Sequence, residues 1–140
     1  MKLKRLAHVG LALAASAIMV VGTESSAAAS GSNVTISKSW GSTTFIPDGD
    51  WLYVHDLDAD GYAVHGKIQS YVCANAACDG MHWVDLRTGC NDNTSIGDDG
   101  TEVRRCNYDI SENITVHACQ VRSKDGVLNG DWVCSASTKS

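Results

Sequence analysis

No stretch beyond the first thirty residues carries a sustained 3.6-residue apolar period, so nothing there reads as an amphipathic helix. Proline occurs once, at Pro47, against thirteen glycines. A basic patch is missing as well: Arg104-Arg105 is the one adjacent basic pair outside the N-terminal segment. The formal charge of −5 becomes about −7 once the three cations and one anion of that segment are set aside. Such a balance argues against nucleic acid and against anionic membranes as partners. No Cys-x-x-Cys occurs, and cysteine spacings of 5, 12, 16, 13 and 15 fit no common zinc frame. The nucleophile and metalloprotease signatures G-x-S-x-G and H-E-x-x-H are also missing. No cofactor is expected, and the chain reads as a non-enzyme.

What is present begins with a leader. Met1-Lys2-Leu3-Lys4-Arg5 is basic, Leu11 to Val21 is apolar, and Ala27-Ala28-Ala29 before Ser30 is a small-residue cleavage site. In that order they predict a signal peptide over residues 1–29 and a secreted, extracellular protein. The apolar run is too short for a convincing membrane span. Export implies an oxidising compartment, where Cys73, Cys78, Cys90, Cys106, Cys119 and Cys134 become disulfides. Six cysteines allow about fifteen pairings. Spacing favours neighbours. Cys119 and Cys134 flank a terminal hairpin, Cys73 and Cys78 enclose Ala74-Asn75-Ala76-Ala77, and Cys90 is left with Cys106. Each bridge in a small secreted domain contributes about 2–5 kcal/mol.

The rest reads as β-structure. Trp51 to His55 alternates, with Leu52 and Val54 on one face. Tyr62 to Gln69 alternates too, placing Tyr62, Val64 and Ile68 inward and His65, Lys67 and Gln69 outward. Met81–Leu86, Glu102–Tyr108 and Ile114–Arg122 are further strand candidates, and Asn91 to Gly100 reads as a turn-rich loop. Asp125-Gly126 and Asn129-Gly130 are turn pairs before a returning strand. The expected fold is a small antiparallel β-sandwich or barrel over residues 40–140, stapled by disulfides and preceded by a flexible arm at 30–39.

Two features could carry chemistry. Asp56-Leu57-Asp58-Ala59-Asp60-Gly61 has the D-x-D-x-D-G form of a calcium loop, in which Asp56, Asp58 and Asp60 would converge on a hard cation. The twelfth position is Lys67 rather than the bidentate Glu of an EF-hand, so the plain reading is a hairpin turn joining two strands, and a weak calcium site is the alternative. The histidines His55, His65, His82 and His117 are scattered. His55 and Asp56 are adjacent on a strand and so point to opposite faces, which spoils them as a relay. Three N-x-S/T sequons, at Asn33, Asn93 and Asn113, read as chance in a chain with a bacterial-looking leader.

Leu52-Tyr53-Val54-His55-Asp56, followed by Ala59-Asp60-Gly61-Tyr62-Ala63-Val64, resembles a group of small secreted actinobacterial proteins. That group carries a leader, a strand ending near V-C-D, an A-D-G, an alternating strand and a cysteine-bearing terminal hairpin like Val116 to Cys134. This chain has Val54-His55-Asp56 in place of V-C-D. The group is similar to the adaptor subunit of umbrella-shaped antibacterial toxin particles of streptomycetes. The resemblance implies a β-sandwich without catalysis, joining a lectin-type subunit to a large toxin subunit through its N-terminal arm. In that arm Val34 and Ile36 are spaced by two, as a strand added to a partner's sheet would need. The remaining readings are an extracellular ion or ligand binder, and a small hydrolase or protease inhibitor with a loop framed by Cys90 and Cys106.

Overall fold

The computed structural model describes residues 31–93 and 103–140. The leader and most of the Asn91–Gly100 loop lie outside them. Nine strands and no helix are present among the described residues. They are β1 (Val34–Lys38), β2 (Gly41–Ile46), β3 (Trp51–Asp56), β4 (Ala63–Cys73), β5 (Met81–Asp92), β6 (Arg104–Asn107), β7 (Thr115–Lys124), β8 (Val127–Cys134) and β9 (Thr138–Lys139). One antiparallel sheet has the order β1-β2-β3-β6; the other has β5-β4-β7-β8, with β9 also on β7. The two stack as a sandwich, β3 against β4 and β5, and β1 and β2 against β7.

Period-two patterning selects the inner faces. In β3, Leu52, Val54 and Asp56 are buried while Tyr53 and His55 are half-exposed. Register sets the layers. Phe45 and Leu52 face Ile68 and Ala118 at the centre; Thr43 and Val54 face Gly66, Cys90 and Gln120 one step on. The next step places Gly41 and Asp56 opposite Val64 and Asp92. Gly66 is required by that stacking: a Cβ there would run into Val54 Cγ2 and crowd Leu52 Cδ2.

The disulfides are Cys73–Cys78, Cys90–Cys106 and Cys119–Cys134. Each does something different. Cys73–Cys78 closes the β4–β5 loop. Cys119–Cys134 ties β8 to β7 at directly opposed positions. Cys90–Cys106 joins β5 of one sheet to β6 of the other, with Cys90 fully buried. Three bridges in a small β domain are compatible with an extracellular protein.

Three expectations change. The acidic segment is not a hairpin turn: β3 and β4 belong to different sheets, so residues 57–62 form a crossover between layers. Asp and Gly serve either role, and only the pairing of the flanking strands tells them apart. The strand expected over Met81–Leu86 continues to Asp92, because β5 pairs with β4 along its whole length through two register shifts. The arm expected over 30–39 is paired from Gly31 on. Gly31 N–H donates to the Lys139 carbonyl, Thr138 Oγ1 donates to the Ser32 carbonyl, and Val34–Lys38 is paired residue for residue with β2.

Candidate functional site

Val34 and Ile36 sit where this chain uses them itself. Ile36 lies opposite Thr43 at 6% exposure, within the core cluster, and Val34 packs against that cluster. The alternation that suggested a strand waiting for another sheet is real, but its partner is β2 of the same chain.

The three aspartates of the crossover do not converge. Asp56 points inward at the end of β3 and is 4% exposed. Its Oδ1 accepts the Asp58 N–H at 3.2 Å, and its own N–H donates to Asp92 Oδ2 at 2.8 Å. Burial first, and then the like charge of Asp92, raise the Asp56 pKa above its ordinary 3.8, against the lowering effect of the Asp58 N–H. Asp58 is exposed. Asp60 is committed elsewhere: Oδ1 accepts the Tyr62 N–H at 3.0 Å, and Oδ2 pairs with the Arg122 guanidinium. Arg122 in turn lies over the Tyr62 ring at 4.2 Å and over Trp40 at 5.5 Å. In this arrangement the crossover does not gather its three carboxylates: Asp56 faces inward, Asp58 faces solvent and Asp60 is paired with Arg122.

A cleft of about 850 Å³ opens beside it, lined by Tyr62, His65, Asn91, Asp92, Arg104 and Ser123 among others. His65 Nε2 and Ser123 Oγ are hydrogen-bonded across β4 and β7. Among the described residues no carboxylate is hydrogen-bonded to that imidazole, and Ser123 is only 3% exposed. A serine nucleophile needs an oriented base and access to substrate, so the pair reads as a cross-strand clasp.

The opposite end of β4 is built otherwise. The stretch from Val64 to Ser70 lies between β5 and β7, whereas Tyr71–Cys73 pairs only with β5. The last three pairs of the β4–β5 hairpin thus overhang the sheet. Its tip is locked by Cys73–Cys78, by Ala74 N–H to the Gly80 carbonyl at 2.9 Å, and by Asp79 N–H to Asn75 Oδ1 at 3.1 Å. Residues 73–82 are all exposed. At the base stand Tyr71 and Met81, 40% and 42% exposed. Tyr71 packs on Trp83 at 4.9 Å between centroids, and Trp83 stacks on His117 at 3.6 Å and 8°.

That stack continues into a polar network on the outer face. Gln69 Nε2 donates to Asp85 Oδ1 at 2.7 Å, so its Oε1 faces His117 and accepts from Nε2 at 2.8 Å. Lys67 pairs with Asp85 at 2.8 Å and lies under the Trp132 ring at 4.1 Å. Lys67 is on the outward face, as its alternation indicates, yet only 7% exposed, because Trp132 from β8 covers it. The pair holds the Asp85 carboxyl below its ordinary 3.8, through Lys67 first and Gln69 second. His117, Cys119 and Cys134 come within 4.8 Å of one another, but both sulfurs are in a disulfide and offer no thiolate to a metal.

Sequence reasoning missed this surface because its members lie far apart in the chain. The only signals were the outward alternation of Lys67, Gln69 and Tyr71, and the facing aromatic at Trp83. No protein-family model, no curated protein and no solved structure matches this chain.

Proposed function

We propose that this protein is a secreted, non-catalytic interaction module that engages other secreted proteins through its overhanging β4–β5 hairpin. The observation that carries the reading is the disulfide-locked tip with Tyr71 and Met81 exposed at its base. A protruding element already fixed in one conformation loses little entropy on docking, and aromatic and methionine side chains supply contact area. The outer-face network behind it holds Trp83 in place, so the tip rests on a rigid base. The narrower version is the adaptor role implied by the sequence resemblance, in which the module joins a lectin-type subunit to a large toxin subunit of an antibacterial particle. In that version the contact belongs to the hairpin rather than to Val34 and Ile36.

The test is recovery from culture supernatant of the native source with a tagged chain. The expected result is co-purification of one or more larger secreted proteins, identified by mass. Tyr71→Ser with Met81→Ser should reduce that recovery at least about tenfold, as loss of two central contacts does, with near-UV circular dichroism unchanged. A free monomer from the native source, or undiminished recovery by the double variant, would reject the hairpin as the contact.

A further inference from the structure

The 850 Å³ cleft at the Ala63 end of β4 is assembled from separate parts of the chain. β4 and β5 contribute His65 and Asn91, which lie opposite each other in the ladder. The crossover contributes Tyr62, the β7–β8 turn Asp125, and the start of β6 Arg104. A bulge in β5 opens onto the same space. Gly66 pairs with Cys90 and Ile68 with Arg87, so three steps of β5 answer two of β4. Gly89 sits in that bulge at φ 88°, lines the cleft, and has nothing within 4 Å of where a side chain would start. Bulges re-aim the side chains beside them and collect next to functional sites.

The lining side chains fall into two sets. One set is held by the fold: Arg122 lies over the Tyr62 ring at 4.2 Å, Ser123 clasps His65 Nε2, and Asp92 accepts the Asp56 N–H. The other set is Asn91, Arg104 and Asp125, all exposed. Among the described residues no hydrogen bond or ion pair engages their side chains. This second set decides the ligand class. An anion would face Asp125 and Asp92, and a cation would face Arg104. An apolar molecule would strip water from three polar groups and return no hydrogen bond. What suits them is a neutral molecule dense in hydroxyls, each of which both donates and accepts. Arg104 only donates, ionised Asp125 only accepts, and the Asn91 amide does both. The volume falls within the range of about 300–1,000 Å³ typical of small-ligand sites.

We propose that this cleft is a binding site for a neutral saccharide. Asn91, Arg104 and Asp125 hydrogen-bond its hydroxyls, and Tyr62, fixed by Arg122, gives its C–H groups an apolar wall. The framework is set before the ligand arrives, so only a few exposed side chains are ordered on binding. The cleft lies at the opposite end of β4 from the overhanging hairpin, which leaves room for a glycan and a protein partner on one domain. This inference is independent of the docking role.

The test applies the disulfide-intact protein to an array of immobilised oligosaccharides, neutral and charged. The strongest neutral hit is then titrated by calorimetry and followed by amide NMR shifts. The expected result is saturable binding, with the shifts gathered at residues 61–65, 89–93 and 123–126. Asn91→Ala with Arg104→Ala should weaken binding at least about tenfold, as the loss of two or more hydrogen bonds does, with near-UV circular dichroism unchanged. Tyr71→Ser with Met81→Ser, at the far end of β4, should leave it intact. No binding to any neutral oligosaccharide would overturn the site without any variant, and so would shifts confined to other parts of the protein. Undiminished binding by Asn91→Ala with Arg104→Ala would overturn the assignment of the binding groups. A preference for charged sugars over neutral ones would overturn the ligand class.

Discussion

At its Cys73 end, β4 leaves the sandwich and is held by a covalent bond; at its Ala63 end, it is surrounded by buried or half-buried charge. The two ends are about 33 Å apart along one strand. The tip has short side chains, left-handed residues at Cys78 (φ 58°) and Gly80 (φ 96°), and a loop closed by Cys73–Cys78. The other end has Asp56, Asp92, Asp60 and Arg122, with the order coming from hydrogen bonds and ion pairs. A covalent lock is indifferent to pH and salt and can sit in full exposure. An electrostatic lock must be enclosed to matter, and it then depends on what neutralises it. The same fold therefore carries one end suited to presentation and one end sensitive to its surroundings.

The largest effect should come from cutting the covalent link between the two sheets, which lies toward the Ala63 end. Cys90–Cys106 joins the two sheets with Cys90 buried and Cys106 half-buried, so Cys90→Ala with Cys106→Ala should lower unfolding free energy by about 2–5 kcal/mol in urea titration. Removing Cys73–Cys78 in the same way should cost much less globally, since its loop is short. Its effect should appear as faster amide exchange confined to residues 73–81. If both variants lost equal stability, the distinction between a structural bridge and a local lock would fail.

Next in size is Gly66→Ala. The added methyl meets Val54 Cγ2 in the layer below the acidic end, and overpacking of that kind costs about 1–3 kcal/mol. Val54→Ala in the same chain should recover part of the loss, measured as a double-mutant cycle.

The third contrast is in pH, and here the two regions should move in opposite directions. Burial, and then Lys67, hold the His117 imidazole below its ordinary 6.5. The folded state disfavours the charged ring, so its contribution is complete above pH 6.5 and is lost as pH falls through the lower folded value. Asp56 is displaced upward from 3.8, so its contribution is complete below 3.8 and is lost as pH rises through the raised folded value. His117→Phe should flatten the fall in urea midpoint below pH 6.5, and Asp56→Asn should flatten the fall on the rising side above pH 3.8. Matching profiles for the two variants would remove the contrast.

The smallest effect belongs to Asp85→Asn. Its carboxylate is well exposed although its Lys67 partner is covered, so the loss should be within about 1 kcal/mol. It should be present above pH 3.8 and vanish as pH falls through the lowered folded value of Asp85.

Much of the fold was legible because β-structure writes itself at period two. Leu52 and Val54, and Val64 and Ile68, face the core as their alternation indicates. The cysteines were legible because sequence neighbours here are also spatial neighbours, across a loop, across a hairpin and across the two sheets. What alternation does not encode is which sheet a strand enters. Trp51–Asp56 and Ala63–Cys73 look like the arms of one hairpin, and only the burial of both inner faces separates them into layers. The same limit hid the use of Ile36 and the meeting of Asp56 with Asp92. Lys67 was legible as outward but not as covered, because Trp132 reaches it from a strand whose register shifts between Gln120 and Arg122.

The overhang of β4 and β5 also has a mechanical meaning. A partner that pulls on the tip along the strand direction loads both strands at once, because Cys73–Cys78 closes the loop and Cys73 pairs with Met81 across the hairpin. Force then enters β4, whose stretch from Val64 to Ser70 is held between β5 and β7. Those bonds run perpendicular to the strand, so the pull shears the whole ladder together and cannot peel it pair by pair. A sideways pull would meet only the bonds at the rim. The hairpin is thus a handle with a preferred axis of load, strong when tension follows the strands and weak across them.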